Sequence, residues 1–390
     1  MNKPLNISNQ SLPFVQGRGF LPAEDPLMRL APIFDPWEEL ALQLPKILVC
    51  DRIAAAIAGL PPFAVDKLRT EPELERAMLI LSFLGHAYVL GGREPRIRIP
   101  ERLAVPWCQV AKRLGRPPVL SYASYALHNW RRIDPDSPVT LGNIVLLQNF
   151  LGGLDEEWFV LVHVDIEAKA APAMASLLPA QAAVKTGNHR ALAKRLGCIA
   201  IALEAMNQIL DRMPESCDPY IYYTRVRPYI HGWKDNPGLP QGVIYDGVAD
   251  YDNLPQHFRG ETGAQTGIIP ALDGALGITH QDDPLRAYLM EMRQYMPPGH
   301  RAYVEAIERG PSIRDYVIAH HESHPPLREE YNACIRLIEC FRAKHHEYAA
   351  RYIQMQSQKN ISNPTEIGTG GTPFMVYLQK HKRETLEHLI

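Results

Sequence analysis

From Cys334 to Ile353 the chain spells out one face of an α-helix. Cys334, Ile338, Phe341, His345, Tyr348 and Tyr352 recur at spacings of four, three, four, three and four. Every member but one is apolar or aromatic. The exception is His345, and a neutral imidazole on such a face must find a partner, because an unpaired buried polar group costs free energy. That partner is either another core group, which makes His345 a satisfied core histidine, or a metal ion. The adjacent His346 falls on a different face, with Glu339 and Arg342.

Helical periodicity extends well beyond this segment. The pattern predicts helices over 51–60, 71–90, 118–132, 158–178, 190–212, 283–295, 300–308 and 328–356. Thr70 before Glu71-Pro72-Glu73 is a start signal, with proline in a tolerated first-turn position. Strand-like runs are confined to 96–99 and 243–245, so the fold is expected to be all-α. The 34 prolines exceed the ~5% share usual in proteins. They gather at 1–36, 95–106, 214–240 and 296–298, which predicts connections ordered by restricted backbone. Leu114-Gly-Arg-Pro-Pro118 separates two helical blocks. It suggests a smaller, mainly helical N-terminal domain over 1–115 and a large helical domain over 116–390.

The charge balance narrows the function classes. A formal net charge of −2 gives no electrostatic case for nucleic acid or for an anionic membrane. The charged stretches 66–75 and 380–384 mix signs and read as solvated surface. No apolar leader opens the chain, and the longest apolar run, 77–90, is interrupted by Ser82, Gly85 and His86. A soluble, cytoplasmic protein is expected. The six cysteines form no CxxC pair, which leaves zinc ribbons and thioredoxin-like sites unsupported. In a helical chain without such motifs, haem iron is one metal that His345 could hold.

Other constellations carry two readings each. In Pro219-Tyr-Ile-Tyr-Tyr-Thr-Arg-Val-Arg227, an arginine among aromatics either forms ordinary helix surface or walls a pocket for an aromatic substrate bearing a carboxylate. In Trp158-Phe-Val-Leu-Val-His163-Val-Asp-Ile-Glu167, the i, i+4 spacing lets Glu167 orient His163. His163, one turn from Phe159, is a pocket polar group or a core histidine. The glycine-rich stretches 259–267 and 368–372 have no phosphate-loop lysine, and read as flexible connections or as loops that close over a ligand. His320-His-Glu-Ser-His324 precedes Pro325-Pro326 without metal-ligand spacing, and reads as surface.

An ordered set of words then stands out. It comprises Arg116-Pro-Pro-Val-Leu-Ser-Tyr122, His128-Asn-Trp130, Arg227 with Gly232-Trp-Lys-Asp-Asn-Pro237, and Gly242-Val-Ile-Tyr-Asp-Gly247. Gly263-Ala-Gln265, Met292-Arg-Gln-Tyr-Met-Pro-Pro298 with His300-Arg301, and Gly368-Thr-Gly-Gly-Thr372 follow. In order and spacing, from about residue 30 to the C-terminus, the chain resembles the indoleamine 2,3-dioxygenases. These are haem enzymes that open the indole ring of tryptophan.

The resemblance implies haem b, ferrous in the active form, with His345 as axial ligand and Arg342 near a propionate. It places the substrate carboxylate on Arg227, the substrate's amino-acid end near Thr369, and pocket walls at Tyr122, Phe159, Tyr222 and Tyr223. Thr262 and Gly263 match the segment beside haem and substrate. Three positions depart from familiar animal members, which have phenylalanines at the Tyr222–Tyr223 pair and a serine at His163. The related tryptophan 2,3-dioxygenases place a histidine near the indole nitrogen, so His163 is a candidate catalytic group. The implied partners are L-tryptophan or a related indoleamine, O2 and an electron donor. The implied product is N-formylkynurenine, at the head of kynurenine-type catabolism. A haem enzyme that rearranges a modified tryptophan and a non-catalytic haem or tryptophan sensor are the alternatives.

Overall fold

The computed structural model describes residues 17–281, 284–359 and 374–390. Helices build the molecule, as the periodicity predicts. Glu71–Leu90 (α1) starts in a capping box: Thr70 Oγ1 accepts the Glu73 amide at 3.4 Å, and the Glu73 carboxylate accepts the Thr70 amide at 2.8 Å. Residues 74–87 are buried on every side, so α1 is a core helix rather than an amphipathic one. Glu101–Leu114 (α2) crosses it where Gly85 leaves room. A Cβ there would lie 2.1 Å from the Trp107 indole ring. The Trp107 ring nitrogen donates to Ser82 Oγ at 3.2 Å.

α2 also corrects the sequence reading, which treats 95–106 as a connection. Pro106 lies inside the helix, early enough to remove a single ladder bond without stopping it. The helix predicted over 118–132 is likewise absent. Ala123–Leu127 forms one π-helical turn, and Trp130–Arg132 then pairs antiparallel with Ile144–Leu146. The Asn129 side chain drives this exit: its amide donates to the Gln148 carbonyl at 3.0 Å and accepts the Gln148 N–H at 2.8 Å. A second ladder, two residues long, joins Arg98–Ile99 in parallel to Ile244–Tyr245, near the runs that the sequence marks.

Leu154–Lys185 (α3) and His189–Leu210 (α4) pack along each other, and Pro325–Ala349 (α5) packs on α4. The C-terminal helix Phe374–Leu386 (α6) lies on α5. α3 outruns its predicted span of 158–178 at both ends, starting at Leu154 and continuing through Pro179 to Lys185. α5 starts at Pro325, its prolines sitting in the first turn, and passes into a π-helical turn at Ala350–Gln354. The His320–His324 segment is a partly exposed turn, and the His320 ring donates to the Tyr316 carbonyl at 2.8 Å. Among the described residues no helix is long and apolar enough to cross a membrane.

A buried ion pair ties α1 to the chain that follows α2. Arg116, with no exposed side-chain surface, donates to both Glu75 oxygens, one at 2.6 Å, and to Ser124 Oγ at 3.2 Å. Burial opposes the charge on Glu75, but Arg116 outweighs it and holds the carboxyl at about 2. The pair's contribution to stability is therefore complete above the ordinary value of 4.5, and fades as pH falls towards 2. Glu75→Gln leaves a buried guanidinium uncompensated and is expected to cost about 3–5 kcal/mol in urea unfolding at pH 7. A cost below ~1 kcal/mol would show that the guanidinium finds other partners.

Candidate functional site

A cavity of about 730 Å³ opens between α3, α5 and the 261–280 segment. Its lining begins at Tyr122, and most of it is apolar or aromatic. The three π-helical turns all end up beside it. Tyr122 immediately precedes the first, Tyr222 opens the second (Tyr222–Val226), and Tyr352 and Ile353 belong to the third. Such turns widen a helix locally and re-aim its side chains, and they recur at functional sites.

Three histidines show what each kind of burial does. His86 is a satisfied core histidine: Nδ1 donates to the Tyr229 carbonyl at 2.8 Å and Nε2 accepts the Leu120 amide at 2.9 Å. Both nitrogens are used, and His86 is neutral, pushed to about 3 by burial. His163 is half satisfied, because Nδ1 donates to the Phe159 carbonyl at 2.7 Å. That bond fixes the tautomer and leaves Nε2 with a lone pair on a residue that lines the cavity. Burial lowers the His163 pKa. His345 stands at the other end of the series. It is accessible to solvent and lines the cavity, while the surrounding protein, followed by His163 and His346, pushes it down to about 4. It is a neutral imidazole with no hydrogen bond among the described residues. His346 does not line the cavity.

Aromatic rings surround His163. Phe159 lies 4.7 Å from it and 4.6 Å from Tyr222, Tyr122 meets it edge-on at 6.1 Å, and Tyr352 meets Tyr222 edge-on at 5.9 Å. Offset and edge-on rings of this kind suit a flat aromatic guest. Gly263, also in the lining, has an ordinary backbone and open space where a Cβ would stand. Its smallness serves the cavity rather than a turn. Thr262 caps the short helix Gly263–Gln265, its hydroxyl accepting the Ala264 amide at 3.4 Å.

The expected orientation of His163 by Glu167 is not what forms. Glu167 accepts the Tyr122 hydroxyl at 3.0 Å and the Thr266 hydroxyl at 2.6 Å, because packing brings those donors to it while the imidazole bonds its own helix backbone. Burial raises Glu167 to about 7 against those two hydrogen bonds. Sequence reasoning also misses Glu261, a buried carboxyl in the lining that burial raises to about 8. A lone acid inside the run Arg259-Gly-Glu-Thr-Gly263 is the signal that could have marked it.

Arg342 reaches the cavity from α5 and is anchored by Asp273 at 2.6 Å and by the Thr385 hydroxyl. Burial works against the Asp273 charge, but Arg342 holds it below its ordinary value. Arg227 and Tyr223 are fully buried and lie outside the lining, with the guanidinium 5.3 Å from the Tyr223 ring centre. Thr369 and the 368–372 loop fall outside the described residues.

The lining also suits haem. A neutral imidazole opens into a large apolar space, a guanidinium borders it for an anionic edge, and a glycine leaves its wall open.

The chain is also similar to known proteins over nearly its whole length. The family model described as indoleamine 2,3-dioxygenase matches residues 14–388. Indoleamine 2,3-dioxygenase 1 of Rattus norvegicus is 35% identical over 378 residues, covering 94% of this chain and 92% of its own. The indoleamine 2,3-dioxygenase of Saccharomyces cerevisiae is 32% identical, covering 94% and 90%. The 6-hydroxytryptophan 2,3-dioxygenase of Fusarium equiseti is 32% identical, covering 95% of each. A match of this extent, on a helical fold with a histidine-bearing cavity, shows that the chain belongs to the indoleamine 2,3-dioxygenase family.

Proposed function

We propose that the chain is a haem-dependent dioxygenase that inserts both atoms of O2 across the indole C2–C3 bond of L-tryptophan or a related indoleamine. N-formylkynurenine is the product from L-tryptophan. The observation that carries this reading is the sharing of one cavity by His345 and His163, each neutral and each with a nitrogen left over. Haem b, when bound and ferrous, supplies the activation of O2. The chain's own residues do the rest. His345 would hold the iron through a ring nitrogen, and Arg342 would border the haem's carboxylates. Phe159, Tyr222 and Tyr122 clamp the indole in a space that excludes water.

His163 Nε2 accepts the indole N–H in this reading, because its other nitrogen is committed to the Phe159 carbonyl. Arg227 and Thr369 hold the amino-acid end, so positioning supplies much of the rate. A cytoplasmic electron donor keeps the haem reduced. His163→Ser is expected to shift the preference for tryptophan over 1-methyltryptophan, which has no indole N–H, by about fivefold, the worth of one hydrogen bond. An unchanged kcat/KM ratio would make His163 a packing residue.

One observation favours a modified substrate within the same chemistry. Tyr222 lines the cavity with a hydroxyl that makes no hydrogen bond among the described residues, near the cavity carboxyl of Glu261. A ring-hydroxylated tryptophan would meet those groups. Comparing kcat/KM for tryptophan and its hydroxylated forms tests it.

A further inference from the structure

A second set of donor atoms lies where the cavity approaches the C-terminal helix. His381 and Glu384, three residues apart on α6, present one face to His280, which follows the helix Ile268–Leu276. One donor atom from each of the three lies within 4.8 Å of the others. We propose that His280, His381 and Glu384 form a binding site for a divalent cation of the zinc class, separate from the haem iron.

The local chemistry argues for a cation. His280 Nε2 lies 3.2 Å from an Asp273 oxygen that also accepts from Arg342, while His280 Nδ1 lies 2.7 Å from Glu384. A carboxylate thus stands at each ring nitrogen of His280, and a carboxylate behind a ring nitrogen is the contact that commonly backs a histidine ligand. Three atoms around this ring are buried without a hydrogen bond: His381 Nε2, Glu384 Oε1 and Asp273 Oδ1. The two carboxylate oxygens can only accept, and the neutral His381 ring has a single N–H, so it can satisfy at most one of them. The Lys380 ammonium lies 3.4 Å from Glu384 Oε1 as an ion pair. Leaving several buried acceptors unmet is costly, and a cation meets them together. Two imidazoles and a carboxylate match zinc in donor type, and leave a fourth position for water.

The site has an entrance. A smaller cavity of about 340 Å³ is lined by His280 and Glu384 along with Thr279, Gln281 and His388. An ion bound there joins three parts of the fold: the Asp273 helix, the loop bearing His280, and α6. His280 and His381 themselves line the haem cavity, and Asp273 and Thr385 are also the anchors of Arg342, so the metal site borders that cavity directly.

The test uses the full-length chain loaded with haem and titrated with ZnCl2 after chelator treatment. The expected result is one zinc per chain beyond the iron, a rise of about 3 °C in the unfolding midpoint, and loss of both in His381→Ala. Glu384→Gln keeps the side chain's shape and is expected to weaken zinc at least ~10-fold, which guards against misfolding as the cause in the alanine variant. His388→Ala is expected to bind zinc within twofold of the parent. Absence of stoichiometric zinc, or zinc held equally well by His381→Ala and Glu384→Gln, as at the stacked His189–His324 pair, would overturn the proposal.

Discussion

His345→Ala is expected to abolish stoichiometric haem binding and, with it, all turnover. The residue supplies a neutral imidazole to a large apolar cavity with no hydrogen bond of its own among the described residues, whereas His163 in the same lining already commits one nitrogen to the Phe159 carbonyl. Removing an orienting neighbour of a metal ligand commonly costs 10–100-fold in affinity, so loss of the ligand itself should cost at least ~100-fold. The measurement is a haem titration followed in the Soret region. Exogenous imidazole should restore part of the band, because the substitution leaves a ring-sized space beside the iron. His346→Ala should bind haem normally, since His346 lies outside the cavity. A normal Soret band and full activity in His345→Ala would remove it as the ligand.

Arg227→Ala is expected to lower kcat/KM for L-tryptophan by about 10²–10³-fold, the range for losing one side of a buried charge-assisted contact. Tryptamine lacks the carboxylate and should lose no more than ~3-fold by the same logic. The contrast matters because Arg227 is fully buried beside Tyr223 and outside the cavity lining, so its removal also disturbs packing. A packing defect would penalise both substrates alike. Equal losses would therefore take the carboxylate role away from Arg227.

Local signals were the most legible part of the fold. The start signal at Thr70 and the largely apolar run behind it give α1 its predicted ends, Glu71 and Leu90. The stripe from Cys334 to Tyr352 gives α5, and separates His345 from His346 by face alone. Reading failed where a tertiary partner overrides a local rule. Pro106 reads as a break, yet α2 runs through it over a buried Trp107. The 118–132 stretch reads as a helix, yet the Asn129–Gln148 bracket pulls it into a strand.

The site shows the same division. Periodicity places His163 and Glu167 together, but i, i+4 spacing only makes an interaction possible. The Phe159 carbonyl, Tyr122 and Thr266 decide which bonds form. The π-helical turns that aim Tyr222 and Tyr352 have no sequence signature that periodicity detects. The His280–His381–Glu384 set depends on contacts between distant segments, and so appears only in three dimensions.

The central claim is that one cavity brings haem, O2 and an indoleamine together for ring cleavage. The direct measurement is a single turnover of the reduced, haem-loaded protein with L-tryptophan and ¹⁸O2, followed by mass spectrometry of the product. N-formylkynurenine carrying both labelled atoms, formed in step with O2 consumed, is the predicted result. A tryptophan-induced spectral shift with no ring-opened product, or a rearranged product carrying at most one labelled atom, would contradict it.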